Sequence, residues 1–248
     1  CAASLLQAIH DSDENVRRAA VESLPNVEEE RVLPVLKTAL RDESPKIRAA
    51  AAQSLGHLES VASVSQLMQA LGDPDAWVRY YAARALGQIR SPESIDSLAD
   101  ALRSDAATQV RIAAADALGS IGGRRTVSLL APFVNSEDED LARAALLALG
   151  MVGHPDALHP ILSVLRSSSS APRRLAAVRS IAARRDDDES LRAAELLYRR
   201  TADGLRAAGR LSQWRRHRLR AAGDRVARWV AYGRTRAQPR FVRVGRQR

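Results

Sequence analysis

Two stretches, AWVRYYAARALGQI at residues 76–89 and TQVRIAAADALGSI at residues 108–121, align without a gap. NVRRAAVESLPNV at 15–27 and KIRAAAAQSLGHL at 46–58 fall into the same register. Self-similarity at a fixed period is the signature of a repeat architecture, and it settles the fold class before any single element is assigned. One apolar column runs through Val16, Ile47, Val78, Val110 and Leu141. A second holds Ala20, Ala51, Ala82, Ala114, Ala145 and Ala177, and a third Leu24, Leu55, Leu86, Leu118, Leu149 and Ile181. Successive members lie 31 or 32 residues apart.

Outward from these segments, each is preceded by another apolar stretch with its own columns. They are Leu33, Val64, Ile95, Val127 and Leu158; Leu36, Leu67, Leu98, Leu130 and Ile161; and Leu40, Leu71, Leu102, Val134 and Leu165. Offsets of three and four put these residues on one helical face. A repeat therefore reads as helix A, a short turn, helix B and a Gly-containing turn, with A at about 31–41 and B at about 45–56 in the second repeat. Asp11, Asp42, Asp73 and Asp105 follow helix A, where a carboxylate is expected to cap the free N–H groups of the next helix. Gly56, Gly87, Gly119 and Gly150 close helix B, where a left-handed C-cap is expected. Pro45 and Pro74 sit at or near the start of a B helix, where a missing N–H costs little.

Composition agrees with an all-α chain. The sequence is 46% hydrophobic but only 4% aromatic, so the core is built from Leu, Ala, Val and Ile. Small side chains and good helix formers suit closely packed helices. No sustained β-type alternation occurs. A single Cys provides neither a disulfide framework nor a zinc cluster and is compatible with a cytoplasmic setting. No apolar run reaches the roughly 18 residues needed to span a bilayer.

The pattern D-x-x-x-x-V-R-x-x-A-x-x-A-L-G-x-I resembles the HEAT-like repeat of the phycobilisome-lyase type, covering approximately residues 1–184 as six units. The resemblance implies a right-handed α-α superhelix, a HEAT-like solenoid. It also implies a ladder between neighbouring units, formed by the turn Asp and the helix-B Arg. The matching residues are Asp11, Asp42, Asp73 and Asp105 with Arg17, Arg48, Arg79 and Arg111. The fifth unit departs, with Ala142 and Ser136 at these positions, and the sixth keeps Arg174 but has Ala182 for the Gly. Helix A of the first unit begins almost at Cys1 with no Met before it, so the chain reads as the C-terminal piece of something longer. An upstream segment would be one place for a membrane anchor.

Columns buried between repeats are structural, so function falls to the exposed stripe of the B helices, which lines the concave side in HEAT stacks. By phase the stripe is Arg18 and Glu22; Lys46 and Gln53; Trp77, Tyr80 and Arg84; Gln109 and Asp116; Asp140 and Arg143. Residues 1–165 hold four aromatics, three of them at Trp77, Tyr80 and Tyr81. Trp77, Tyr80 and Arg84 share a face at i, i+3 and i+7, and these residue types dominate binding hot spots. They are the expected anchor for a protein partner, with Tyr81 as a gap filler between units. No cofactor and no catalytic residue is expected. The His residues are scattered, and the His-Glu pairs that hold iron in deoxyhypusine hydroxylase, a protein of similar repeats, do not occur, so no metal site is expected. A phycobilin-lyase-like or other enzyme-accessory role stays open as the alternative, since such proteins share the repeat.

Charge divides the chain. Residues 1–165 carry 15 Lys and Arg against 22 Asp and Glu, a balance of −7, whereas residues 166–248 balance at +16. The solenoid is expected over 1–185 and an Arg-rich helical extension with a disordered end over 186–248. Residues 190–248 contain 17 Arg and no Lys, interleaved with Trp214, Trp229 and Tyr232. Arg215, Arg216, Arg218 and Arg220 are the densest part. Nucleic-acid phosphates, an anionic membrane surface and an acidic protein all fit such an array, and so does plain compositional bias. A monomer is expected.

Overall fold

The computed structural model describes residues 2–27 and 30–184. The expected extension over 186–248, with Arg215, Arg216, Arg218 and Arg220, lies outside the described residues, as does the disordered end.

Twelve α-helices follow one another in six A–B hairpins among the described residues. The A helices are α1 (Ala2–Ala8), α3 (Val32–Ala39), α5 (Val64–Ala70), α7 (Ile95–Ser104), α9 (Arg124–Leu130) and α11 (Leu158–Ser167). The B helices are α2 (Glu14–Ser23), α4 (Pro45–His57), α6 (Ala76–Ile89), α8 (Thr108–Ile121), α10 (Glu139–Met151) and α12 (Ala171–Ala183). Helix α9 is short because a 3-10 segment, Ala131–Asn135, takes over at Pro132 and still delivers Val134 to the core. No strand occurs among the described residues.

The columns pack as a repeat requires. Leu36, Leu67, Leu98, Leu130 and Ile161 are all completely buried, as are Leu55, Leu86, Leu118 and Leu149 between the two helix layers. Leu33 and Leu71 are half-buried, and Val16 is the most open of the column residues at 41% exposed, because among the described residues α2 has a neighbouring B helix on one side only. Each fully buried Leu contributes about 2 kcal/mol, so the regular columns, summed along the stack, carry its stability.

The two layers are spaced differently. Consecutive B helices pack directly on each other, whereas neighbouring A helices touch mainly their own B partners. The cause is the glycine position, and here the structure corrects the sequence reading. Gly56, Gly87, Gly119 and Gly150 are not left-handed C-caps; they lie inside α4, α6, α8 and α10. A Cβ on Gly87 would stand 2.8 Å from the Cα of Ala117, and one on Gly150 would stand 2.7 Å from the Cα of Ser180. Glycine is needed because backbone meets backbone. Positive φ after the B helices falls instead beyond these glycines, on Glu59 at 48°, Arg90 at 56°, Gly122 at 76° and Gly153 at 70°.

Two buried hydroxyls join the B layer further. Ser54 Oγ donates to the Val21 carbonyl at 3.0 Å, and Ser180 Oγ to that of Leu146 at 2.5 Å. Each reaches across to the preceding B helix, so the seam combines close approach with fixed register.

Candidate functional site

Two sets of side chains stand out on this frame: the polar edge at the A–B turns and the exposed face of the B helices.

At the turns, Asp11, Asp42, Asp73 and Asp105 accept from the backbone N–H two residues on, at 2.8–2.9 Å. That N–H precedes the helix, so these carboxylates brace the turn. The helix caps are instead Asp13, Asp75 and Asp138, which accept from the first free N–H groups of α2, α6 and α10. The sequence reading placed the cap two residues early because Asp recurs at both positions and only geometry separates an Asx turn from an N-cap.

The helix-B arginines then link turns. Arg48 Nε and Nη2 donate to Asp73 at 2.8 and 2.9 Å, while its Nη1 holds the carbonyls of Asp42 and Glu43 in its own turn. Arg79 repeats this on Asp105 at 2.7 and 2.9 Å and on the carbonyls of Asp73 and Pro74. Arg17 holds the carbonyls of Asp11 and Ser12 but stands 3.8 Å from Asp42. Arg111 turns to the Leu102 carbonyl instead, since its forward partner is Ser136. Burial works to raise the carboxyls of Asp73 and Asp105, yet the arginine forks and the turn N–H groups outweigh it and hold both below the ordinary value of 3.8.

Ties at other positions supplement the arginine forks. Ser44 Oγ and Lys46 donate to Glu14 between the first two units. Thr108 reaches Asp138 at 3.1 Å, and Ser170 and Arg173 donate to Glu139 at 2.6 and 2.7 Å between the last two. Glu14, Glu139 and Arg173 escaped the sequence reading because they lie outside the repeated Asp and Arg columns.

On the B face, Trp77, Tyr80 and Arg84 meet. Asp75 caps α6 through the N–H of Trp77, fixing the first turn that presents the indole. The Trp77 and Tyr80 rings stand 5.6 Å apart, edge to face, and Tyr80 and Tyr81 repeat that geometry at 5.2 Å. Such contacts favour a single arrangement of the rings. Arg84 lies 5.7 Å over the Tyr80 ring, a cation–π contact. Trp77 is nevertheless 56% exposed, the most exposed aromatic side chain of the cluster. Tyr81 joins the cluster with its ring 6.4 Å from that of Trp77, and like Tyr80 it is half-buried.

The face continues beyond the stripe derived by phase. Leu147 and Met151 on α10 and Leu175 on α12 are exposed. In an Ala- and Leu-rich helix such residues pass for core, and only the packed neighbours show which lie outside. Asp116 on α8, one period after Arg84, is open to solvent, yet protein crowds it closely enough that desolvation pushes its carboxyl above the ordinary range; Arg84 opposes this without cancelling it. Among the described residues, no three His, Cys, Asp or Glu side chains are grouped so as to hold a metal ion. No helix among them is long and apolar enough to cross a membrane.

Comparison with known proteins places this geometry. A family model described as HEAT repeats matches residues 2–71, 37–118, 97–182 and 130–210. Among solved structures, the complex of CpcE and CpcF of phycocyanin lyase from Nostoc sp. PCC7120 contains a chain similar at TM-score 0.56 and 21% identity, over 79% of this chain and 93% of that one. A designed armadillo repeat protein is similar at TM-score 0.53 and 18% identity, over 75% of this chain and 100% of its own. Another designed armadillo repeat protein, in complex with peptide (KR)4, is similar at TM-score 0.54 and 17% identity, over 74% and 99%. A comparison with the sequences of curated proteins returns no match.

Proposed function

Because the chain belongs to the HEAT-repeat family, we propose that it is a non-catalytic scaffold that holds a protein partner on the face of its B helices. The B layer is the more closely spaced of the two, and a stack curves toward its tighter side, so this face is the concave one. The observation that carries the reading is the exposed Trp77, held in place by Tyr80 under Arg84. A rigid aromatic that loses little freedom on contact and still offers most of its surface is an energetically favourable anchor. Designed repeats of the same fold also accommodate peptides, as the complex with (KR)4 exemplifies.

Affinity capture with the full chain and with a Trp77→Ala/Tyr80→Ala variant tests the anchor. The variant is expected to lose proteins that the wild type retains, with its helical circular dichroism unchanged. An identical set of captured proteins overturns the reading.

A bilin-lyase-like accessory role is the second class. Its support is the fold likeness to the phycocyanin lyase complex together with the exposed rings. Mixing the purified chain with bilin and recording its absorbance decides: an unchanged bilin spectrum removes this class.

A further inference from the structure

We propose that the partner segment seated on this face is acidic and apolar together, a carboxylate close to a large apolar side chain, and that Arg84 and Arg179 receive its carboxylates. The inference rests on the scaffold reading and narrows it to a chemical class.

Charge is divided unevenly between this face and the rest of the repeats. Residues 1–165 balance at −7, but most of their acids lie between the helices. On the exposed face of the B helices the sign reverses, with Arg18, Lys46, Arg84, Arg143 and Arg179 against Glu22, Asp116 and Asp140. A cationic face on an acidic stack attracts an anionic segment to that face and repels it elsewhere.

Two of these cations are uncommitted. Among the described residues, no hydrogen bond or ion pair engages Arg84 or Arg179. Arg84 lies 5.7 Å over the Tyr80 ring, a contact that leaves its N–H groups open to an acceptor. Asp116, one period on, tempers the charge of Arg84 without bonding to it. Arg18 pairs with Glu22, Lys46 with Glu14 and Arg143 with Asp140, but these pairs are open to solvent and contribute little.

The apolar surface lies beside the cations. Trp77 shares α6 with Arg84, Leu147 follows Arg143 by one turn on α10, and Leu175 precedes Arg179 by one turn on α12. Trp77, Leu147 and Leu175 are all exposed. Each of these three helices thus sets an arginine within two turns of its exposed apolar side chain. The period also puts Arg84, Leu147 and Arg179 in one row, and α6, α8, α10 and α12 pack in that order. An apolar side chain of the partner meets one of these anchors while its neighbouring carboxylate takes the guanidinium fork. A basic segment would gain the apolar contacts but meet like charge and leave both arginines unpaired.

The test uses the full chain and a fluorescent peptide of alternating glutamate and leucine, followed by anisotropy at moderate salt. Wild type is expected to bind it, and to bind an arginine–leucine peptide more weakly. Arg84→Gln and Arg179→Gln are each expected to weaken glutamate–leucine binding about tenfold, the worth of a hydrogen bond to a charged group. Trp77→Ala is expected to weaken it as well, whereas Arg41→Gln, a neutralised cation on an exposed turn outside this face, leaves it unchanged. The same losses are expected when Arg215, Arg216, Arg218 and Arg220 are serine, which separates the face from the Arg-rich stretch. Neither guanidinium bonds within the fold, so both glutamine variants should unfold at the wild-type temperature.

Equal losses from Arg41→Gln and the face variants would mean diffuse attraction and overturn the inference, as would losses that vanish once the four later arginines are serine. Binding that depends on Trp77 but is indifferent to Arg84 and Arg179 overturns the acidic class and leaves the anchor standing. Binding indifferent to all three removes the peptide from this face. No binding, or tighter binding of the arginine–leucine peptide, rejects the acidic class, and retention on vesicles of anionic phospholipid in its place assigns the face to a membrane. In each of these cases the capture experiment judges the anchor separately.

Discussion

At the scale of single residues, the turn edge shows how one side chain can act twice. Arg79 ties down the carbonyls of its own turn with one nitrogen and grips the next unit's Asp105 with two others. The fork is largely shielded from solvent, so losing it strands a carboxylate among fewer donors, at about 2–3 kcal/mol. The sign of the pH dependence follows from the lowered carboxyls of Asp73 and Asp105. The folded chain keeps them ionised where the unfolded chain takes up protons. Their stabilisation is therefore complete above the ordinary value of 3.8 and is lost as pH falls through the lowered ones. Urea unfolding at a series of acidic pH values is expected to show this loss, with a shallower slope in Arg79→Ala, where one pair is already gone. Equal slopes would mean the forks contribute nothing to acid sensitivity.

At the scale of helices, the four buried glycines set how near the B helices come. Gly87→Ala puts a methyl carbon 2.8 Å from the Cα of Ala117, and backbone cannot step aside as a side chain can. Overpacking of this kind costs about 1–3 kcal/mol. Helix propensity alone favours Ala over Gly by about 1 kcal/mol, so the two effects oppose each other and the steric one is expected to win. Chemical denaturation that shows Gly87→Ala to be more stable than wild type would contradict the close approach. The glycines also mark where local pattern stops being informative. Their recurrence was plain in the sequence, and the apolar columns located every hairpin. Their purpose was hidden, because a Gly near a helix end reads as a cap until the helix packed against it, 30 residues away, is seen. The site divides similarly. Trp77, Tyr80 and Arg84 were legible because aromatics are scarce here and their spacing gives one face. Arg179 went unread, since having no bonding partner is a property of its surroundings and not of its letter.

At the scale of the molecule, the acidic repeats and the Arg-rich stretch after them are distinct chemical regions of one chain. If the arginines at 215, 216, 218 and 220 contact phosphates or other polyanions, their neutralisation to serine lowers the salt at which the chain leaves a heparin column, and does so steeply. Identical elution would assign that stretch no polyanion-binding role. The repeats contribute a different property. Helices whose backbones already touch along a glycine seam cannot be compressed, while the A helices, in looser mutual contact, retain room to spread or close. The seam thus acts as the neutral axis of an elastic strip. When the stack flexes, strain falls on the A side, and the row of side chains from Trp77 to Leu175 keeps its pitch like the graduations on a ruler that bends without stretching.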